Sequence, residues 1–383
     1  METLTIHELI NLVRSVFSPG KDDRRLAILI DVPDEKVADI DKWRMRREMA
    51  SEWHGKLREA KTELQLSDVD LVFYPNVHSN NADLPKQAFR YNGSAATVTA
   101  GTLLSKGIPF DFAAYLDTCQ IILAPTQFSA TAPLKLLAKK SNFRAATMPG
   151  FTAEMIPSLR LDYEEINRRV FEIKKLLDKA DSLDVQFLVD GKQEYTCHFD
   201  LRFRTAHASG GRLPDPGTAG NLPSGESYIV PYEGEQDAAS ESSGVLPVQF
   251  DDEVVLYRLE NNTAKEVISR GARSDAEAKY IASEPAYANI AELGFGVLKD
   301  FGVLPSGEIL LDEKLGLHIA FGRSDHFGGA VGAANFTSIE KVVHIDRIYI
   351  PETQPRIHIE QVILNFKNEK SMVLMKNNGY TIF

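Results

Sequence analysis

"RLAILIDVP" (residues 25–33) is a short apolar run closed by a turn residue, the form taken by a parallel strand buried on both faces. Three later segments repeat it: "VDLVFYPN" (69–76), "CQIILAPT" (119–126) and "FRAATMPG" (143–150). The stretches 35–64 and 132–140 lie between them, charged and with helical periodicity. "METLTIHELINLVRSVF" (1–17) opens this half as an amphipathic helix, and "LDYEEINRRVFEIKKLLDKA" (161–180) closes it as another. Strand and helix alternate, which implies a sheet with helices on its faces, of the doubly wound kind. No Gly-x-Gly-x-x-Gly or Walker-type loop follows any of these strands, so no nucleotide site is assigned.

After about residue 182 the texture changes. "LDVQFLVDGKQEYTCHFDLRFRTAH" (183–207) reads as a hairpin with a Gly turn, and further strands follow at short intervals. Residues 214–227 and 232–244 read as loops rich in Gly, Pro, Ser and acid. "SDAEAKYIASEPAYANIAEL" (274–293) carries the one clear helix of this half, with Ser274 as its expected N-cap. The expected architecture is an α/β domain over 1–181, with a parallel sheet flanked by helices, followed by a β-rich α+β domain over 182–383.

Composition narrows the function classes. A chain of 383 residues is long for one core, and 43% hydrophobic with 25% charged residues is ordinary for a globular protein. The net charge of −11 argues against nucleic acid or an anionic membrane as partner, since both reward clustered Lys and Arg. Cys119 and Cys197 stand far apart and offer neither a disulfide framework nor a cysteine-based zinc site. No secretory signal pattern and no long unbroken apolar segment occurs, so a cytoplasmic protein is expected.

Four strand-like segments of the second half carry residues that a strand interior normally excludes. In "VVHIDRIYIP" (342–351), the period of two puts Val342, His344, Asp346, Ile348 and Ile350 on one face. "GESYIVP" (225–231) begins with Glu226, "NIAELGFGVL" (289–298) holds Glu292 in an apolar run, and "LGLHIAFG" (315–322) does the same with His318. A lone carboxylate or imidazole in such a place needs a specific partner. Each taken alone is as well explained by a hydrogen-bonded pair, an exposed strand end or a satisfied core histidine. Together, three carboxylates and two imidazoles form a donor set for Zn, Co or Mn. That count exceeds what one catalytic ion requires and fits two divalent ions sharing a bridging carboxylate, about 3.5–4 Å apart.

In their order, "NLPSGESYIVP", "AELGFGVL", "LGLHIAFGR" and "HIDRIYIP" resemble the metal-binding segments of the aminopeptidase T (thermophilic metallopeptidase) family, which includes the aminopeptidase S enzymes. The resemblance spans about residues 180–350 and implies that Glu226, Glu292, His318, His344 and Asp346 bind two divalent metals. It further implies a homodimeric, metal-dependent hydrolase that releases N-terminal residues from peptides or acts on a related small molecule, using metal-activated water. Glu292 would then be a ligand that also takes part in proton transfer. One position departs from the family: its tyrosine, seven residues after the histidine of the third segment, is Asp325 here. His326 is the expected replacement as oxyanion donor, with Arg323 second and an inert exposed turn as the plain alternative. The 2,5-dihydroxypyridine dioxygenases look similar in arrangement but use one iron, two His and one carboxylate. Ring-opening oxygenation is therefore an alternative function, as is metal-stabilised binding without turnover.

Overall fold

The computed structural model describes residues 2–383, which form two compact units. One comprises the chain up to Asn167 together with Gly211–Ser224, the other Arg168–Gly210 with Gly225–Phe383. This division departs from the boundary expected at 181/182. It passes through the helix Tyr163–Leu177, and residues 211–224 return to the first unit. The reason is a short strand, Thr218–Asn221, which pairs in parallel with Arg144–Thr147 and so belongs to the first sheet. Its Gly- and Pro-rich surroundings read locally as a loop.

The first unit is built on a seven-stranded sheet. From one edge its strands run 218–221, 144–147, 121–124, 25–32 and 68–75, all mutually parallel, then 87–90 and 108–111, added antiparallel. In Arg25–Val32 every residue after the first is buried, as a strand covered on both faces requires. The first helix, Ile6–Phe17, starts at a capping box in which Thr5 and Glu8 satisfy each other's backbone N–H groups.

The second unit contains two antiparallel sheets. One has eight strands in the order 263–267, 253–260, 243–250, 193–200, 182–189, 357–365, 372–376 and 379–380. The other has five, in the order 344–348, 317–322, 290–296, 226–229 and 207–209. The back face of the five-stranded sheet is apolar: Ile229, Leu293, Phe295, Leu317, Ile319 and Phe321 are all buried. Phe321 packs against Tyr257 of the larger sheet with ring centroids 5.2 Å apart, and burying such a ring contributes about 1.5–3 kcal/mol. That burial fixes which face of the small sheet looks inward and therefore what its other face can present.

Ser274 is not the N-cap of the helix Ala272–Ser283; that position is Gly271. Ser274 lies in the first turn. The Glu253 carboxylate accepts from the backbone N–H groups of Arg273 and Ser274, at 3.0 and 2.7 Å. A side chain distant in sequence thus does what a local cap was expected to do.

Candidate metal centre

All five candidate ligands project from the front face of the five-stranded sheet. Directly paired residues of antiparallel strands point to the same side. The register sets Glu226 opposite Gly296, Glu292 opposite Ala320, Ala320 opposite Asp346, and Gly322 opposite His344. His318 faces Gly294, and Gly294 in turn faces Tyr228. A bulge at Ala291 places Glu292 in this register, a local device common beside active sites. Gly294, Gly296, Ala320 and Gly322 alternate with the ligand-type residues and leave room above the sheet. At Gly294 the room is already used: a Cβ there would lie 1.8 Å from His318 Nε2, so the imidazole folds over the glycine.

The side chains assemble into two groups joined by one residue. Glu226, Glu292 and His318 form the first, and Glu292, His344 and Asp346 the second. Glu292 offers a different oxygen to each: Oε1 lies 3.4 Å from His318 Nε2, and Oε2 lies 3.1 Å from His344 Nε2. The remaining separations are 3.6 Å from His318 Nε2 to Glu226 Oε2 and 3.5 Å from His344 Nε2 to Asp346 Oδ1. Most of these are long for hydrogen bonds. They match two donors sharing one ion, because bonds of 2.0–2.2 Å in tetrahedral array hold the donor atoms about 3.4 Å apart. Glu226 Oε2 and His318 Nδ1 are buried and lack any hydrogen-bond partner. A buried carboxylate oxygen left unsatisfied is costly, and a cation beside it removes that cost. The donor set and the orphaned oxygen fit a divalent ion at Glu226, Glu292 and His318, and Glu292, His344 and Asp346 form a second candidate group.

The electrostatics carry the same message. Burial disfavours charge on Glu292, but His318 and His344 outweigh it and hold its carboxyl well below the usual range. Burial pulls the two imidazoles down, yet the carboxylates prevail and push His318 up to about 9 and His344 to about 11. The carboxylates thus demand positive charge among them, which protons or metal ions can supply. His344 is oriented by Nδ1, 2.7 Å from the Arg323 carbonyl oxygen, leaving Nε2 for the centre.

Several residues that sequence reasoning missed border the site. Lys314, fully buried, puts Nζ 2.9 Å from Glu226 Oε1 and also pairs with Glu313. Burial opposes its charge, but Glu226 and Glu313 outweigh this and raise its pKa. Tyr228 shares a strand and face with Glu226, stacks on His207 with centroids 5.0 Å apart, and packs against Phe327 at 4.8 Å. Burial, with Glu292 and Glu226 nearby, raises its phenol above the ordinary value. The only sequence signal for Lys314 was its place four residues before His318, and for Tyr228 its place two residues after Glu226.

The turn "GRSDHFGG" separates its polar residues. Arg323 and Asp325 are half-exposed and paired, Nε to Oδ1 at 2.5 Å, so the guanidinium is spent on its neighbour. His326 lies beside the centre, its ring centroid 5.2 Å from that of His344 and 4.0 Å from that of Phe327. Burial, together with His344 and Arg323, lowers its pKa to about 4, so at neutral pH it is an uncharged imidazole. Buried Glu233 fastens the turn by accepting from Ser324 Oγ and from Asn289 Nδ2, the first at 2.5 and the second at 2.7 Å.

No family model and no curated protein matches the chain. Several solved chains do, two of them as follows. The 2,5-dihydroxypyridine dioxygenase of Pseudomonas putida KT2440 is 15% identical, with 99% of both chains covered and a TM-score of 0.58. Wild-type AmpT of Thermus thermophilus is also 15% identical, with 98% of this chain and 99% of that chain covered and a TM-score of 0.52. The fold is common to all three. Both neighbours are enzymes, one an oxygenase and one an aminopeptidase, and at this identity the likeness establishes architecture alone. No helix among the described residues is long and apolar enough to cross a membrane.

Proposed function

We propose that the chain is a metal-dependent hydrolase of the aminopeptidase kind, releasing N-terminal residues from peptides or acting on a related small molecule. One observation carries this reading: Glu292 turns one oxygen to each of two ligand groups, as a carboxylate bridging two ions would. Glu226 and His318 would complete one ion's ligands, and His344 with Asp346 the other's. Divalent ions held there supply Lewis-acid polarisation of a carbonyl and a water of lowered pKa.

The protein's own groups do the rest. The sheet face fixes the five donors before any substrate arrives, so little reorganisation is needed. Glu292, with one oxygen toward each group, would hold both ions. His326, neutral and next to His344, can donate one hydrogen bond from its N–H to the reacting carbonyl. Phe327 and Tyr228 wall the site and limit water.

Ring-opening oxygenation by a single iron would place two imidazoles and one carboxylate on one ion. His318 and His344 instead stand on opposite oxygens of Glu292, which favours the hydrolase. Metal analysis of the purified protein, coupled to a panel of aminoacyl-nitroanilides, tests the proposal. Two equivalents of Zn, Mn or Co with nitroanilide cleavage support it. One equivalent of iron with no cleavage would overturn it, and two equivalents without turnover would leave a binding protein. His344→Ala should lower bound metal below two equivalents with the fold intact.

A further inference from the structure

The turn 323–330 sets one large apolar ring, Phe327, beside the candidate metal centre. Its centroid lies 5.5 Å from that of His344 and 4.8 Å from that of Tyr228. Those two residues stand on strands 344–348 and 226–229, with two strands between them, so their backbones are about 14 Å apart at the ordinary strand spacing. They also stand in different rows. His344 is paired with Gly322 and Tyr228 with Gly294, and the row Asp346, Ala320, Glu292 runs between. A ring that packs on both therefore lies above the front face, over Ala320 and Glu292. Hydrogen bonds fix it there. His207 Nε2 donates to Phe327 O and Arg204 Nη1 to Gly328 O, both at 3.0 Å, while Glu233 accepts from Ser324 Oγ and the Ala330 N–H. Phe327 is nonetheless only half-buried. It is the middle of a run of rings, with His326 at 4.0 Å on one side and Tyr228, itself 5.0 Å from His207, on the other. The charged side chains of the turn and its anchor are paired, Arg323 with Asp325 and Arg204 with Glu233 and Glu235. The wall thus offers a ligand apolar surface in a fixed position.

We infer that Phe327 is a specificity-determining residue, which packs against the N-terminal side chain of the substrate and selects aromatic and large aliphatic residues over small or charged ones. This rests on the proposed hydrolase reading and names the class of substrate for it. The N-terminal Cα is bonded directly to the scissile carbonyl carbon, so its side chain starts next to the centre. The side chain beyond the leaving nitrogen starts farther away. An apolar group gains by leaving water against the ring, and a planar one gains further by stacking on it. A Lys or Glu side chain would lose hydration there and find the neighbouring charges already paired. Full burial of a phenyl group corresponds to about 10–150-fold in affinity, so a wall that covers part of it should give about 10-fold or more.

The test uses aminoacyl-nitroanilides that share one leaving group and differ only in side chain, Phe, Leu, Ala or Lys, on wild type, Phe327→Ala and Phe327→Leu. Bound metal is measured for each protein. Calorimetry gives the affinities of phenylalanine hydroxamate and alanine hydroxamate, whose metal-binding ends are identical. In wild type, kcat/KM for the Phe and Leu substrates should exceed that for Ala and Lys by about 10-fold or more, and phenylalanine hydroxamate should be favoured by a similar ratio. Phe327→Ala should bring both ratios close to one with metal content unchanged. Phe327→Leu, which keeps apolar bulk without the planar ring, should lower the Phe substrate more than the Leu substrate. Ratios cancel any loss of kcat common to all substrates, such as a shifted His326 would cause. A wild type that cleaves the panel without preference, or a Phe327→Ala protein that keeps the preference, would overturn the inference and leave the hydrolase reading standing. A wild type that holds metal and cleaves nothing would overturn the hydrolase reading. Selective, Phe327-dependent binding of phenylalanine hydroxamate would then still support the contact, and its absence would overturn both.

Discussion

Gly294→Ala adds one methyl group at the floor of the metal centre. The new Cβ would lie 1.8 Å from His318 Nε2, while ordinary contact begins near 3.5 Å, so the imidazole must retreat by about 1.7 Å. The backbone gives no relief, because the residue is mid-strand, paired on one side with Tyr228 and on the other with His318. Metal–ligand bonds tolerate changes of only about 0.2 Å, so a displacement of this size removes His318 from coordination. Loss of a supporting group alone typically weakens metal binding 10–100-fold, and loss of a ligand should weaken it at least that much. Overpacking adds a stability cost of about 1–3 kcal/mol in the metal-free protein. Titration calorimetry with Zn(II) on chelator-treated protein, beside His318→Ala as reference, gives the comparison. The two variants should lose the same one of two binding events, with the far-ultraviolet circular dichroism of both unchanged. A Gly294→Ala protein that binds two ions with wild-type affinity would refute the placement of His318 over the glycine.

Lys314→Met removes a buried cation while nearly keeping volume, leaving Glu226 and Glu313 without it. Stranding one side of a buried pair costs about 3–5 kcal/mol, so Tm of the metal-free protein should fall by about 10 °C, and Zn(II) should narrow the gap; an unchanged Tm would contradict this. The His198–Asp184 pair of the eight-stranded sheet, 2.7 Å apart and about one-third exposed, predicts a pH dependence. The Asp184 hydrogen bond raises the His198 pKa, so that contribution is full below about 6.5 and fades as pH rises through the folded value. The His198 bond lowers Asp184, whose contribution is full above about 3.9 and fades as pH falls through its folded value. Asp184→Asn should therefore destabilise by less than about 1 kcal/mol after solvent screening, most between roughly pH 4 and 6.5, and a pH-independent difference in Tm would count against the pair. The resemblance to the aminopeptidase T family predicts a homodimer, and light scattering at the monomer mass of 42.6 kDa across a concentration range would remove that expectation.

The strands and the chemistry-bearing residues were legible in the sequence, because both are local signals. Arg25–Val32 announces itself by an unbroken apolar run. Glu292 and His318 stand out because ionisable groups rarely enter apolar strands unpaired. What the sequence could not disclose were relations set by pairing between distant segments. Thr218–Asn221 is a strand only because Arg144–Thr147 offers it an edge, and the Ala272–Ser283 helix is capped by Glu253 because tertiary packing brings that carboxylate to it. Lys314 and Tyr228 are unremarkable residues in the chain; strand register brings Tyr228 to the site, and the turn Glu313–Leu315 brings Lys314 to Glu226. Likewise, nothing local tells Glu292 to face His318 with one oxygen and His344 with the other. That arrangement exists because the apolar back face of one sheet must be buried, and burying it turns every alternate residue of its strands outward together.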